Sequence, residues 1–186
     1  MNITEFKTQL ADGGARPNQF RVEIPFPYGG AEGSKQLLIS GAAMPASTVN
    51  PVITQYRGRE VKFAGERIFD PWTITVINDS DMALRGSFEK WMDEINNKDD
   101  NGGDIAWSNY VCDITVVHLD RNDKDLDNGK IVLEQAFPIN MSEIALQYAQ
   151  NDIIEEFTVT FQYQNYRVDN QVIGGGGAGP AIGAFI

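Results

Sequence analysis

The 186-residue chain has one cysteine, Cys112, and one histidine, His118. A single cysteine excludes an intrachain disulfide and a cysteine-based metal centre. A single histidine leaves any Ser-His-Asp or Cys-His arrangement with one copy of its base. No run approaches the ~18 apolar residues of a membrane-spanning helix, so no membrane insertion is expected. The first ten residues, MNITEFKTQL, have no basic segment leading into an apolar one and read as no secretory signal. Positive charge is scarce as well: 15 Lys and Arg stand against 26 Asp and Glu, a formal net charge of −11. A protein that wraps nucleic acid tightly needs cations to displace counterions, and this composition argues against that class.

What the chain has is alternation. Residues 1–19 are polar and mixed. Phe20, Val22, Ile24 and Phe26 then alternate with Arg21 and Glu23, a half-buried strand, and Pro25 and Pro27 place its end at a sheet edge. Residues 28–35 read as a loop and hairpin turn, and QLLIS (36–40) as a short strand. Residues 41–58 are rich in small side chains and broken by Pro45 and Pro51, which exclude a helix, so they read as an extended loop or hairpin arm. REVKFAG (59–65) alternates again. Trp72, Ile74 and Val76 share one face, with Thr73 and Thr75 opposite. From Asp79 the period changes: Leu84, Phe88, Trp91, Met92 and Ile95 fall on one helical face. A helix is predicted over about 79–97, with Asp79 as cap and Asp81 as a favourable acid. Trp72 is expected to anchor the core against Phe88 and Trp91.

Residues 110–119 and 131–139 read as strands joined by an Asn128-Gly129 hairpin turn. Residues 141–149 are ambiguous between helix and strand. The last strand places Phe157, Val159, Phe161 and Tyr163 on one face and Glu156, Thr158, Thr160, Gln162 and Gln164 on the other. That polar stripe reads either as a solvated sheet face or as the lining of a water-filled channel. The fold class follows: mainly β, an antiparallel sandwich or barrel over residues 1–168 with one flanking α-helix. A glycine-rich extension covers 169–186. It lacks the Lys-Ser/Thr of a phosphate loop and reads either as a disordered terminus or as a segment held by a partner such as a neighbouring subunit.

Candidate chemistry is thin. Asp123, Asp125, Asp127 and Glu134 occupy positions 1, 3, 5 and 12 of an EF-hand-like loop, a spacing that can surround a calcium ion with oxygens. The glycine falls one residue late, at Gly129, and the flanks read as strands, so an acidic hairpin is the competing reading. A calcium-dependent β-sandwich binding module using 123–134 is therefore the alternative function. His118 beside Asp113 or Asp120 has no activated nucleophile near it, and Cys112 reads as a small buried hydrophobe. No catalytic residue and no cofactor are expected. Arg67 and Asp70 read either as ion-pair partners or as a solvated turn.

Four segments carry a resemblance: ARPNQFRVEI (15–24), AGERIFDPWTITVINDSD (64–81), FEKW (88–91) and FPINMSEIALQYAQNDIIEEFTVTFQY (137–163). In this order they resemble the tail tube proteins of contractile-tailed bacteriophages, relatives of type VI secretion tube proteins. The resemblance implies a non-enzymatic virion subunit, assembled in the host cytoplasm. It implies homo-hexameric rings that stack into a hollow tube, their strands joining a continuous inner barrel. It also implies a tail sheath outside, a baseplate and tail terminator at the ends, and genomic DNA passing through the lumen without sequence-specific binding. On that footing Glu156, Thr158, Thr160, Gln162 and Gln164 are the lumen candidates. The 41–58 arm, with Met44, Pro45, Val49, Pro51, Val52, Tyr56 and Arg57, is the candidate for reaching an adjacent ring. Six copies at −11 each would carry about −66 charges, a like-sign field that repels phosphates.

Overall fold

The computed structural model describes residues 2–10, 14–30, 33–149 and 151–169. Helix α1 (Ile3–Gln9) precedes β1 (Phe20–Glu23), and a 3-10 segment (Gly33–Leu38) leads into β2 (Ile39–Ala42). Then follow β3 (Ser47–Tyr56), β4 (Arg59–Phe69), β5 (Trp72–Ile77), α2 (Ala83–Ile95) and the single turn α3 (Trp107–Tyr110). The chain closes with β6 (Cys112–Leu119), β7 (Asp125–Met141), β8 (Glu156–Gln162) and β9 (Asn165–Val168). All pairings are antiparallel. The mainly-β class with one main helix is the one predicted.

The architecture turns on the 17-residue β7. Its first part pairs with β6 on one side and β9 on the other; its last residues, from Phe137 on, pair with β8. Between these parts Gln135 sits at φ 57°, a left-handed kink. A backbone kinked in this way frees an amide that must find a new acceptor. Asp113 Oδ1 supplies it, accepting from Gln135 N–H at 3.0 Å. The bend divides seven strands into two faces enclosing one core, in the order β1-β6-β7-β8-β5-β2 with β9 beside β7.

The core forms because each strand alternates. Trp72, Ile74 and Val76 of β5 and Phe157, Val159 and Phe161 of β8 are buried. The helix adds Leu84, Phe88 and Trp91. Phe161 is the meeting point: its ring centroid lies 5.7 Å from Trp72, 5.9 Å from Phe88 and 6.1 Å from Trp91. Trp72 thus reaches the helix through Phe161. Both indoles keep a partner, Trp72 Nε1–H donating to Ala43 O and Trp91 Nε1–H to Tyr110 O. Ser87, which the apolar pattern passes over, is buried too. The turn at Gly30 packs so closely on it that a Cβ there would lie 2.7 Å from Ser87 Cβ.

Several expectations shift. The helix begins at Ala83 and ends at Ile95, not 79–97. Residues 79–82 are spent on a turn whose last residue, Met82, is left-handed at φ 49°. Asp79 nonetheless serves the helix: its Oδ1 accepts from the Ala83 N–H at 3.1 Å while Oδ2 takes Lys35 Nζ. The Lys35 hydrogen bond holds the Asp79 carboxyl below its usual value of 3.8, against some desolvation, and the Ala83 N–H adds to it. A depressed folded-state pKa contributes stability that is present above pH ~4 and lost as the pH falls through the folded value. Asp79→Asn is therefore expected to flatten the acid limb of the thermal midpoint below pH ~4, read by circular dichroism melts across pH. An unchanged acid limb would show that Asp79 is not linked to folding.

Residues 28–35 do not close a hairpin, because β1 pairs with β6 and β2 with β5. The strand at QLLIS starts only at Ile39. The Asn128-Gly129 pair is not the β6–β7 turn either. Asp120 makes that turn, its Oδ1 accepting from the N–H groups of Asn122 (2.6 Å) and Lys124 (3.0 Å) while its own N–H donates to Lys124 O. Asn128, at φ 62°, instead lies in a bulge of β7. A Cβ at Gly129 would stand 3.1 Å from His118 O, so the glycine permits the close approach. Residues 142–148 take neither helix nor strand. Helix α1 was not foreseen; its signal is Asn2, whose side chain accepts from Thr4 N–H, with Glu5 three residues on.

Candidate functional site: a polar sheet face and a hairpin arm

The outward face of the β8–β5–β2 layer is built by strand parity. Core residues occupy one set of alternate positions, so the others must face away. Register places Thr73 opposite Thr160, Thr75 opposite Thr158 and Ile77 opposite Glu156. Thr73 Oγ1 and Thr160 Oγ1 are 3.0 Å apart, and Ser40 Oγ donates to Glu156 Oε1 at 3.4 Å. Asn140 of β7 lies opposite Thr160. The result is a field of hydroxyls and amides, interrupted at Ile77. Of the five stripe residues, Glu156, Thr158, Thr160 and Gln162 belong to it. Gln164 lies past the end of β8, at the break before β9, where its N–H donates to Glu134 O. Among the face residues named, Glu156 is the one carboxylate, so the expected acidic wall narrows to one acid per copy on this face.

The arm is larger than its predicted bounds of 41–58. Strands β3 and β4 form a separate two-stranded sheet that projects from the body. Arg57 (φ 49°) and Gly58 (φ 81°) make its two-residue tip, so the hairpin runs over 47–69. Pro51 is tolerated because both outer edges of this sheet are unpaired among the described residues. Its pairs sort the side chains: Tyr56/Arg59, Thr54/Val61 and Val52/Phe63 share one face, and Gln55/Glu60, Ile53/Lys62 and Pro51/Ala64 the other. Val52, Tyr56 and Phe63 are more than half exposed. A bulge at 65–66 sets the arm's exit; a Cβ at Gly65 would lie 2.5 Å from Asn50 O. The base is fastened by Phe69, whose ring lies 5.9 Å from Tyr163 and 5.7 Å from Tyr166, and by Ser47 and Tyr166 hydroxyls 3.3 Å apart. Met44 and Pro45 lie ahead of the hairpin proper, and Val49 and Pro51 on β3. Arg67 and Asp70 form no ion pair among the described residues.

The sheet ends leave a further opening. A cleft of about 550 Å³ separates β1 from the segment before β2, lined by Glu23, Pro25, Gln36, Leu37 and Thr115 among others. Gln36 acts there as a substitute strand. Its amide accepts from Ile24 N–H at 3.0 Å and donates to Ile24 O at 2.8 Å.

The remaining candidates do not converge. Asp125 turns to Arg21 (3.5 Å) and Glu134 to Arg167 (3.2 Å). Nine strand residues separate the two, on the order of 20–30 Å of chain. The side chain of Asp127 lies outside the described residues, and among those described no group of three or more ligand-type side chains gathers. Burial pushes the Cys112 thiol up to about 12, far from a reactive thiolate. His118 sits within β6, opposite Phe20. The glycine-rich extension beyond Asp169 lies outside the described residues. No helix among them is long and apolar enough to cross a membrane.

Residues 15–169 match the phage tail tube protein family. The chain is 32% identical to the tail tube protein gp19 of Enterobacteria phage T4, over 78% of this chain and 86% of that one. It is 28% identical to the tail tube protein of Serratia phage KSP90, over 87% of this chain and 93% of that one. The fold is shared with a chain of the PVC sheath/tube terminator of an extracellular contractile injection system, in its extended state: TM-score 0.59 and 15% identity, over 83% of this chain and 95% of that one. Matched along residues 15–169, the chain belongs to the phage tail tube protein family and is a non-enzymatic structural subunit of a contractile phage tail tube in the virion.

Proposed function

We propose that six copies close into a ring, that rings stack through the hairpin arm, and that the outward face of β8 and β5 lines the lumen through which DNA travels. The observation that carries this reading is the pairing of a fully built core on one side of β8 with a mainly polar row of hydroxyls and amides on the other. A solvated face of that length would serve any protein. Here it coincides with open edges at β1 and β2, which a ring would cover. A wall of neutral hydroxyls with one carboxylate per copy holds water and offers phosphates no cation, so DNA slides. The tail sheath would pack outside, with baseplate and tail terminator at the two ends. Electron cryomicroscopy of the purified protein under assembly conditions tests it. The expected result is a cylinder of six-fold rings with Thr158 and Thr160 on the inner wall. Those residues on the outer wall would overturn the lumen assignment, and lone particles at every concentration would overturn the tube.

A further inference from the structure

The loop between β7 and β8 forms a groove of about 700 Å³, lined by Ile144, Leu146, Tyr148, Ile153, Ile154 and Glu155 among others. Leu146 is 78% exposed, Ile153 67% and Ile154 68%, and Tyr148 is fully open to solvent. Apolar surface gathered in this way marks a contact site rather than a solvent face. Residues 142–156 also hold four acids, Glu143, Asp152, Glu155 and Glu156, and no base. The arm has the opposite character. On a chain of net charge −11, residues 47–69 carry Arg57, Arg59, Lys62 and Arg67 against Glu60 and Glu66, a net +2. Its apolar face exposes Val52 (56%), Tyr56 (63%), Val61 (37%) and Phe63 (58%), with Arg59 beside Tyr56. Cationic and apolar on one element, anionic and apolar on another, the two patches are complementary in both respects.

We propose that the apolar face of the arm seats in the acid-rimmed groove at 144–156 of a second copy of this chain. The inference rests on the tube reading above and names the surface that receives the arm. Every copy offers one arm and one groove, which differ from each other. The contact is therefore heterologous and repeats without self-pairing, as a stack of rings requires. Tyr56, Val52 and Phe63 supply the buried area, and Arg57 and Arg59 meet Asp152 and Glu155 at the rim.

The test is a pair of cysteines in the full-length chain with its own thiol removed by Cys112→Ala, Tyr56→Cys with Leu146→Cys, oxidised under assembly conditions. The expected result is a ladder of covalent multimers from the double variant and nothing beyond dimers from either single one. Tubes without a ladder, with Val52→Cys and Phe63→Cys also tried against Leu146→Cys, would overturn the pairing and leave the tube standing. A parent chain that forms no tube fails the tube reading and the pairing with it. A ladder that appears only after residues 170–186 are removed would assign the groove to that segment and overturn the proposal. In parallel, Arg57→Glu with Arg59→Glu should raise the protein concentration needed for assembly at low salt about tenfold, and adding Asp152→Lys and Glu155→Lys should restore most of it. An unchanged concentration overturns the charge pairing.

Discussion

Replacing residues 50–66 by an Asn-Gly turn is expected to give a chain that folds as its parent does and forms no tubes. The arm pairs only within itself and projects its faces into solvent, so its removal takes nothing from the core. The pairs that remain, Val49 with Arg67, Thr48 with Ile68 and Ser47 with Phe69, close on a two-residue turn of the kind a hairpin favours. The unfolding free energy should move by less than about 1 kcal/mol, the scale of surface changes. Assembly, by contrast, should disappear from sedimentation and from electron micrographs. Tubes of normal length from the shortened chain would show that rings stack without the arm.

The second large effect belongs to Phe161. Its ring is completely buried and touches Trp72, Phe88 and Trp91 together, so it joins β5, β8 and the helix. Phe161→Ala should cost about 3–5 kcal/mol, the transfer term plus the cavity left among rings that cannot collapse into it. For a domain with roughly 5–15 kcal/mol in total, that is a fifth or more of its stability. Urea denaturation of the variant reads the change directly. Phe161→Leu should cost less than about 1.5 kcal/mol. A loss under 1 kcal/mol for the alanine variant would place the centre of the core elsewhere.

Periodicity made the core legible and not the connections. Trp72, Ile74, Val76, Phe157, Val159 and Phe161 alternate, and Leu84, Phe88 and Trp91 recur at helical spacing, because burial imposes those periods locally. Turn chemistry misled at Asn128-Gly129, where the pair's tolerance of left-handed backbone serves a bulge. The actual turn came from the side chain of Asp120, which satisfies two backbone amides. The hairpin tip was hidden because Arg57 stands where a turn of this type ordinarily has asparagine or glycine. The second half of the arm was read as a strand at 59–65 but not joined to the first, because a hairpin exposed on both faces has no shared core to tie its strands together. The kink at Gln135 and the substitute strand made by Gln36 depend on partners 22 and 12 residues away, a range at which local pattern says nothing. The groove at 144–156 was visible only as an ambiguous stretch, since irregular backbone leaves no period to read.

Gly65 has a mechanical consequence. Its backbone meets that of Asn50 in a contact too tight for any methyl group, and the six strand residues from Pro51 to Tyr56 carry the arm about 20 Å beyond that point. A rotation of ~10° at such a pivot displaces the tip by about 3.5 Å, most of the ~4.8 Å between neighbouring strands. A glycine partway along the lever thus governs where its far end lands.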